Sequence, residues 1–145
     1  MNKYEKKLDC LKINRFFKDK KLSSAECVFE MSEDFRSLEK EVFVVFHLNT
    51  QNRIIKREIV SIGILDASIV HPREVFRNAI ISASSKIILC HNHPSGDPSP
   101  SPEDIEITEK LRDIGEILGI AVVDSVIVCK KEFKSIERGC LNNVK

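Results

Sequence analysis

Residues 86–105 read KIILCHNHPSGDPSPSPEDI, and this stretch determines the order of the elements around it. Residues 86–91 are mostly apolar, which predicts a buried β-strand. Residues 94–102 hold four of the five prolines, so they predict a stiff loop without regular hydrogen bonding. A helix is predicted over 102–118, with Gly119 as its C-terminal stop. The stretch therefore predicts a strand, a rigid loop and a helix, in that order.

Strands and helices also alternate outside this stretch. Residues 41–48 are too densely apolar for simple alternation, which predicts a central strand covered on both faces. The turn at 49–52 leads into 53–62, a second strand antiparallel to the first. The remaining predicted elements are a helix that begins at Pro72 and strands at 121–128 and 132–136. Because the first two strands form a hairpin while helices separate later ones, we predict an α/β (α+β) fold, a mixed β-sheet flanked by helices.

The N-terminal part differs from the rest of the chain in charge. The 145 residues have a formal net charge of +1, but residues 1–21 carry eight Lys or Arg against three Asp or Glu. The apolar spacing over 25–38 predicts one helix, capped by one of the two serines before it. We therefore expect a basic N-terminal arm and helix over 1–40 and a compact domain over 41–145.

Composition limits the class of protein. Hydrophobic residues are 42% and charged residues 31% of the chain, as in globular proteins. No apolar run approaches the roughly 20 residues of a membrane span, and no signal peptide is recognisable, so we expect a cytoplasmic protein without membrane contact. Five cysteines without C-x-x-C spacing favour buried thiols over disulfides or a four-cysteine zinc site. Near-neutral charge excludes nucleic-acid binding over the whole surface, although the arm at 1–21 could contact nucleic acid or remain a solvated terminus.

Two histidines and an aspartate within the opening stretch form a candidate metal site. His91 and His93 are two residues apart at the end of a strand, so their side chains point the same way. Asp104 falls in the first turn of the following helix, after Ser101 as N-cap and Pro102. Two imidazoles and one carboxylate leave a fourth tetrahedral position open, as in catalytic zinc sites. The alternatives are ordinary surface histidines and an Asp104 that only caps the helix with Ser101.

The segment resembles the JAMM motif of the JAB/MPN metalloprotease superfamily, in which H-x-H-P is followed by Ser and Asp. It is most similar to the bacterial RadC branch, whose motif H-N-H-P-S-G-D-P-x-P-S-x-E-D is matched at almost every residue. The resemblance extends from Glu41 to about Glu137. It implies a JAB/MPN-like domain over 41–145 and one Zn²⁺ per chain, bound by His91, His93 and Asp104.

The resemblance also implies an activity: a zinc metallopeptidase or isopeptidase-like hydrolase, in which zinc-activated water attacks an amide carbonyl of a peptide or isopeptide substrate. Glu41 would be the general base and Ser101 would stabilise the oxyanion. Glu74 is the rival glutamate, but we prefer Glu41 because a position at a strand edge can face the histidines. The alternative for Glu41 is an exposed carboxylate at the start of a strand.

The other candidate side chains are expected to be structural. Cys90 points away from His91 and is expected in the core. His47, on a buried strand, is expected to be a hydrogen-bonded core residue, and His71 is also expected to be structural.

The chain departs from the RadC pattern in two ways. Family members commonly carry Asp-His where this chain has Asp124-Ser125. Longer relatives carry an N-terminal helix-hairpin-helix region linked with DNA, which we do not find here, and a DNA-repair role is therefore doubtful. The alternative function is a non-catalytic DNA-repair or mobile-element accessory protein that retains the metal-binding fold and contacts nucleic acid through its arm.

Overall fold

The computed structural model of the chain describes residues 18–66, 68 and 70–137, so the predicted basic arm at 1–21 lies outside it except for 18–21. None of the three helices described has the length and apolar character needed to cross a bilayer. The elements follow in the order α1 (Ala25–Glu30), β1 (Val42–Leu48), β2 (Ile54–Ile62), α2 (Pro72–Ile81), β3 (Lys86–Asn92), α3 (Pro102–Leu118), β4 (Ala121–Val128) and β5 (Phe133–Ser135).

The five strands form one mixed sheet in the order β2-β1-β3-β4-β5. β1 runs antiparallel to both β2 and β3, β3 runs parallel to β4, and β4 runs antiparallel to β5. The predicted mixed sheet with flanking helices is therefore confirmed. The register places Phe43 opposite His91, so the start of β1 lies beside the end of β3.

Apolar side chains cover both faces of the sheet. One face packs against the segment 22–38, which includes α1, and the other packs against α2 and α3. All seven residues of β1 are buried, which confirms the central strand predicted from its dense apolar run. The segment 22–38 thus shares a core with the strands that follow it.

The first helix is shorter than predicted, because it ends at Glu30 instead of continuing to Leu38. Its N-cap is Ser24, whose hydroxyl accepts a hydrogen bond from the Cys27 amide. At the other end, the carbonyl of Phe29 accepts hydrogen bonds from Ser32 Oγ and Arg36 Nη1 at 2.7 and 2.8 Å. These side chains compete with the backbone donors that would extend the helix, and turns follow.

The third helix connects the loop after β3 to the far end of the sheet. Its C-cap is Gly119 with φ +73°, the left-handed conformation that glycine adopts without cost. Gly115 lies so close to the next segment that a Cβ there would be 2.4 Å from the Ile120 carbonyl oxygen. Glycine at position 115 therefore leaves the space in which the chain turns from the end of α3 into β4.

Candidate metal centre

The end of β3 and the start of α3 bring three potential metal ligands together. His91 is the second-last residue of β3 and His93 follows the strand, so the two-residue period directs both imidazoles to the same side. Asp104 occupies the third position of α3 and is 3% exposed. The structure thus brings the three predicted residues together.

The ligand groups form a compact triangle, in which each histidine faces a different oxygen of the Asp104 carboxylate. Nε2 of His91 lies 3.1 Å from Nε2 of His93 and 3.1 Å from Oδ1 of Asp104. Nε2 of His93 lies 3.1 Å from Oδ2 of Asp104. Zinc bonds of 2.0–2.2 Å in tetrahedral geometry place ligand atoms about 3.3 Å apart, so the triangle fits such an ion. Within the described residues this is the group of His, Cys, Asp and Glu side chains that could hold a metal.

A hydrogen bond at Nδ1 orients one of the two histidines for a metal. Nδ1 of His93 lies 2.9 Å from the carbonyl oxygen of Asp97, so it carries the proton and leaves the Nε2 lone pair facing the centre. Nδ1 of His91 is buried without a hydrogen-bond partner among the described residues. The two rings therefore turn their Nε2 atoms toward the carboxylate.

Electrostatics keep the carboxylate of Asp104 ionised. Burial opposes its ionisation, but hydrogen bonds with His91 and His93 outweigh burial and hold its pKa well below the usual range. The same contact raises the pKa of His93, an effect that burial of the ring partly offsets. Asp104 therefore faces the two imidazoles as an anion, the form in which a carboxylate binds a metal.

Ser101 fixes the position of Asp104 through a capping box. The Ser101 hydroxyl accepts a hydrogen bond from the Asp104 amide at 3.1 Å, and the Ser101 amide donates to Asp104 Oδ2 at 2.8 Å. A hydroxyl that accepts through one lone pair retains its own proton for donation. Ser101 can therefore cap the helix and still donate a hydrogen bond into the adjacent pocket.

A pocket of about 510 Å³ opens beside the ligand triangle. Its lining includes Glu41 together with His93, Ser101 and Asp104, so the predicted general base shares a cavity with two of the three candidate ligands. The rival, Glu74, is an exposed residue in the first turn of α2 and is not among the residues that line this pocket. The structure thus brings Glu41, and not Glu74, to the centre.

Two hydrogen bonds from one loop hold Glu41 in place. The Gly63 amide donates to the Glu41 carbonyl oxygen at 2.8 Å, and the Leu65 amide donates to Oε2 of its side chain at 2.9 Å. Gly63 has φ +115°, a conformation that side-chain-bearing residues rarely adopt. Oε1 has no hydrogen-bond partner among the described residues and remains able to move a proton.

Asn92 is a positioning residue that the sequence reasoning missed. Its Oδ1 accepts a hydrogen bond from the Val42 amide at 2.7 Å, and its Nδ2 donates to the carbonyls of Leu38 and Lys40 at 3.3 and 2.9 Å. These bonds fix the backbone on both sides of Glu41 against the strand that carries His91. The sequence signal for this role was a polar residue between two histidines, on the side of the strand that faces the core.

The residues predicted to be structural differ in how firmly the structure holds them. Cys90 is fully buried on the opposite face from His91, and burial raises its thiol pKa, as expected for a core residue. His47 is buried with Nε2 2.5 Å from Glu58, but its Nδ1 has no partner among the described residues, so it is only half satisfied. His71 precedes α2 without a side-chain capping bond.

Ser125, which stands where the RadC pattern has histidine, contributes to packing. Its hydroxyl lies 2.9 Å from Thr108 Oγ1, and both residues are buried between β4 and α3. The ligand triangle is formed without a side chain from this position.

The fold and the site define a class: an α+β domain that presents two histidines at the end of a central strand and an aspartate in the next helix. The family model of the RadC-like JAB domain matches residues 22–141, and the chain belongs to this family. The match includes α1 as well as the sheet.

Three relatives agree with this assignment. The chain is 55% identical over 120 residues to a UPF0758 protein of Shouchella clausii, covering 81% of this chain and 52% of the relative. It is 49% identical over 119 residues to a UPF0758 protein of Methanosarcina mazei, with 81% and 52% covered, and 49% identical over 115 residues to one of Bacillus cereus, with 79% and 51% covered. The chain thus spans about half the length of the curated relatives it matches.

Proposed function

We propose that this chain is a zinc-dependent hydrolase that cleaves an amide bond in a peptide or isopeptide. The observation that carries the proposal is the triangle of His91, His93 and Asp104 at a pocket that also contains Glu41. Zinc held by these three residues would supply a Lewis acid that polarises a carbonyl group and makes water a better nucleophile at neutral pH.

The side chains around the triangle have distinct tasks in this proposal. Glu41 accepts a proton from the attacking water at Oε1 and returns it to the nitrogen of the leaving amine. The Leu65 amide, bound to Oε2, keeps the carboxylate oriented during this transfer. Ser101 donates its hydroxyl proton toward the oxygen that becomes negative during attack.

The charge of the pocket supports an amide substrate over a phosphodiester. Among the described residues, its lining contains four carboxylates and no Lys or Arg. Nucleic-acid enzymes and binding proteins neutralise phosphates with basic side chains, and here acidic groups would repel them. A contact with nucleic acid therefore depends on the basic arm and not on the pocket.

The test compares zinc-loaded wild-type protein with Glu41→Gln and Glu74→Gln on a mixture of bacterial proteins, with new N-termini and newly freed lysine ε-amines quantified by mass spectrometry. We expect zinc-dependent cleavage that falls at least about 100-fold in Glu41→Gln and stays near wild type in Glu74→Gln. Cleavage that survives in Glu41→Gln or is lost in Glu74→Gln would contradict the assignment of the base. No cleavage by zinc-loaded wild-type protein would contradict the hydrolase itself.

The alternative is a non-catalytic accessory function in nucleic-acid binding, and a deletion in the basic arm tests it. Residues 19–22 pair with the start of β2, through hydrogen bonds such as Asp19 N to the Ile54 carbonyl at 2.8 Å, so a deletion should stop at residue 17. Salt-dependent DNA binding that disappears on deletion of 1–17 would support this function. Absence of DNA binding at low salt would remove it.

A cytoplasmic location is also part of the proposal. Cys27, Cys90 and Cys129, the cysteines among the described residues, are all free thiols. Free thiols persist in reducing compartments, where disulfides are rare.

A further inference from the structure

Two acidic side chains beside the metal centre have no task in the proposed chemistry. Asp66 follows β2 and Glu103 lies in the first turn of α3, and both line the pocket that contains Glu41 and Asp104. Both are exposed. Among the described residues, neither forms an ion pair with a Lys, Arg or His side chain.

The pocket stays negative when a metal is bound. Its four carboxylates belong to Glu41, Asp66, Glu103 and Asp104, and a divalent cation would neutralise only half of their charge. No Lys or Arg of the described chain lines the pocket to offset the remainder. A concave surface with one sign of charge attracts groups of the opposite sign.

The two surplus carboxylates are held by local structure. Oδ1 of Asp66 accepts a hydrogen bond from the Ser68 amide at 2.8 Å, which fixes the side chain in a turn. Glu103 is placed by the proline-rich loop and by the capped start of α3. Because they belong to different elements, the pocket carries negative charge on both its β2 side and its α3 side.

An apolar side chain adjoins these charges. Ile64 lines the same pocket and is 83% exposed, next to the buried Leu65. A lysine or arginine side chain combines an apolar stem with a cationic end, so it can cover Ile64 and reach the carboxylates together.

We propose that this pocket selects polypeptide segments with a lysine or arginine close to the scissile amide, and that Asp66 and Glu103 are the specificity-determining residues. The inference rests on the proposed amide hydrolysis, because it takes the pocket as the place where substrate binds. Acidic segments are disfavoured there by the same charges.

The test measures binding, so that it does not depend on turnover. Full-length, zinc-loaded Glu41→Gln protein is immobilised and exposed to a random hexapeptide library with acetylated and amidated ends, and bound peptides are quantified by mass spectrometry. The matched variants carry Asp66→Asn with Glu103→Gln, or Glu30→Gln with Asp113→Asn. The second pair removes two exposed carboxylates that do not line the pocket.

We expect Lys and Arg to be enriched about fivefold over Asp and Glu, since each exposed ion pair contributes up to about a fivefold change in affinity. The enrichment falls to about one in the Asp66→Asn/Glu103→Gln protein and is kept in the control pair. No enrichment, or enrichment that survives in the pocket variant, would overturn the inference. Enrichment of basic peptides by the Glu41→Gln protein, together with no cleavage by zinc-loaded wild-type protein, would contradict the hydrolase and leave the selectivity standing.

Discussion

Two buried clusters, each combining histidine and carboxylate, lie at opposite ends of the central strands, and only one suits a metal. At the first, His91, His93 and Asp104 place three ligand atoms within 4.8 Å of one another. At the second, His47 Nε2 is 2.5 Å from Glu58, and the other oxygen of Glu58 accepts a hydrogen bond from Asn78 at 2.8 Å. Each cluster also has a histidine Nδ1 without a partner among the described residues.

The comparison shows that burial of a histidine beside a carboxylate does not make a metal site. The second cluster offers one imidazole nitrogen, and its carboxylate already receives two hydrogen bonds. Its role is to join β1, β2 and α2. The first cluster has three converging acceptors and an adjacent pocket, which is the arrangement that a cation stabilises.

Replacing one residue in each cluster should give the largest difference in zinc affinity between the two clusters. We expect His93→Ala to weaken zinc binding at least about 100-fold, because it removes one of three ligands. Glu58→Gln keeps zinc binding within about threefold of wild type. Competition titration with a chelator measures both. Zinc affinity that changes equally in the two variants would contradict the distinction.

Replacing the asparagine beside each cluster should lower the free energy of unfolding by different amounts. Asn92→Ala removes the buried hydrogen bonds to the Val42 amide and the Leu38 carbonyl, and a part-buried one to the Lys40 carbonyl, so we expect a loss of about 3 kcal/mol in free energy of unfolding. Asn78→Ala removes one hydrogen bond from a half-buried side chain and should cost about 1 kcal/mol. Urea denaturation of the metal-free proteins checks this order, and a reversed order would show that Asn92 is not the main tie around Glu41.

Zinc binding should depend on pH through the first cluster alone. The hydrogen bond with Asp104 raises the pKa of His93, so protonated His93 stabilises the metal-free fold at low pH, and this contribution is lost as pH rises through the raised pKa. Zinc must displace that proton, and its affinity therefore increases with pH, by about tenfold per pH unit below the His93 pKa. Titrations between pH 5 and 8 should give this slope in wild type and in Glu58→Gln. A flat profile would contradict it.

Substitutions at two glycines should affect the general base and the metal ligands separately, and these effects should be smaller. Gly63 and Gly96 have φ of +115° and +87°, and a Cβ at either would meet no atom within 4 Å, so alanine costs only backbone strain of about 1 kcal/mol. Gly63→Ala disturbs Glu41 and should lower turnover while zinc affinity is kept. Gly96→Ala disturbs the turn that orients His93 and should lower zinc affinity. The reverse pattern would contradict these assignments.

The features predicted correctly from the sequence are those that short-range spacing and local structure determine. The period of a strand places His91 and His93 together, and Ser101 with Pro102 defines where α3 begins, so short-range spacing made these histidines and Asp104 candidate ligands. The resemblance to RadC proteins then favoured a metal site over ordinary histidines and a helix cap. The mixed sheet followed from the hairpin and the alternation of elements. Glu41 came from the resemblance to RadC proteins and not from spacing.

Long-range contacts account for what the sequence did not predict. The end of α1 depends on Arg36 and Ser32 reaching the Phe29 carbonyl. The hydrogen bonds of Asn92 join positions about 50 residues apart in the sequence. The bonds from the loop at 63–65 to Glu41, and the meeting of Asp66 with Glu103 in one pocket, likewise require the folded sheet.

The most direct test of the metal centre is anomalous diffraction at the zinc edge from crystals of the zinc-loaded full chain. The account predicts one peak per chain, with Nε2 of His91 and of His93 at about 2.0–2.1 Å, an Asp104 oxygen at about 2.0–2.2 Å, and no fourth protein ligand. A peak elsewhere, no peak, or a fourth side chain that closes the coordination sphere would contradict the account.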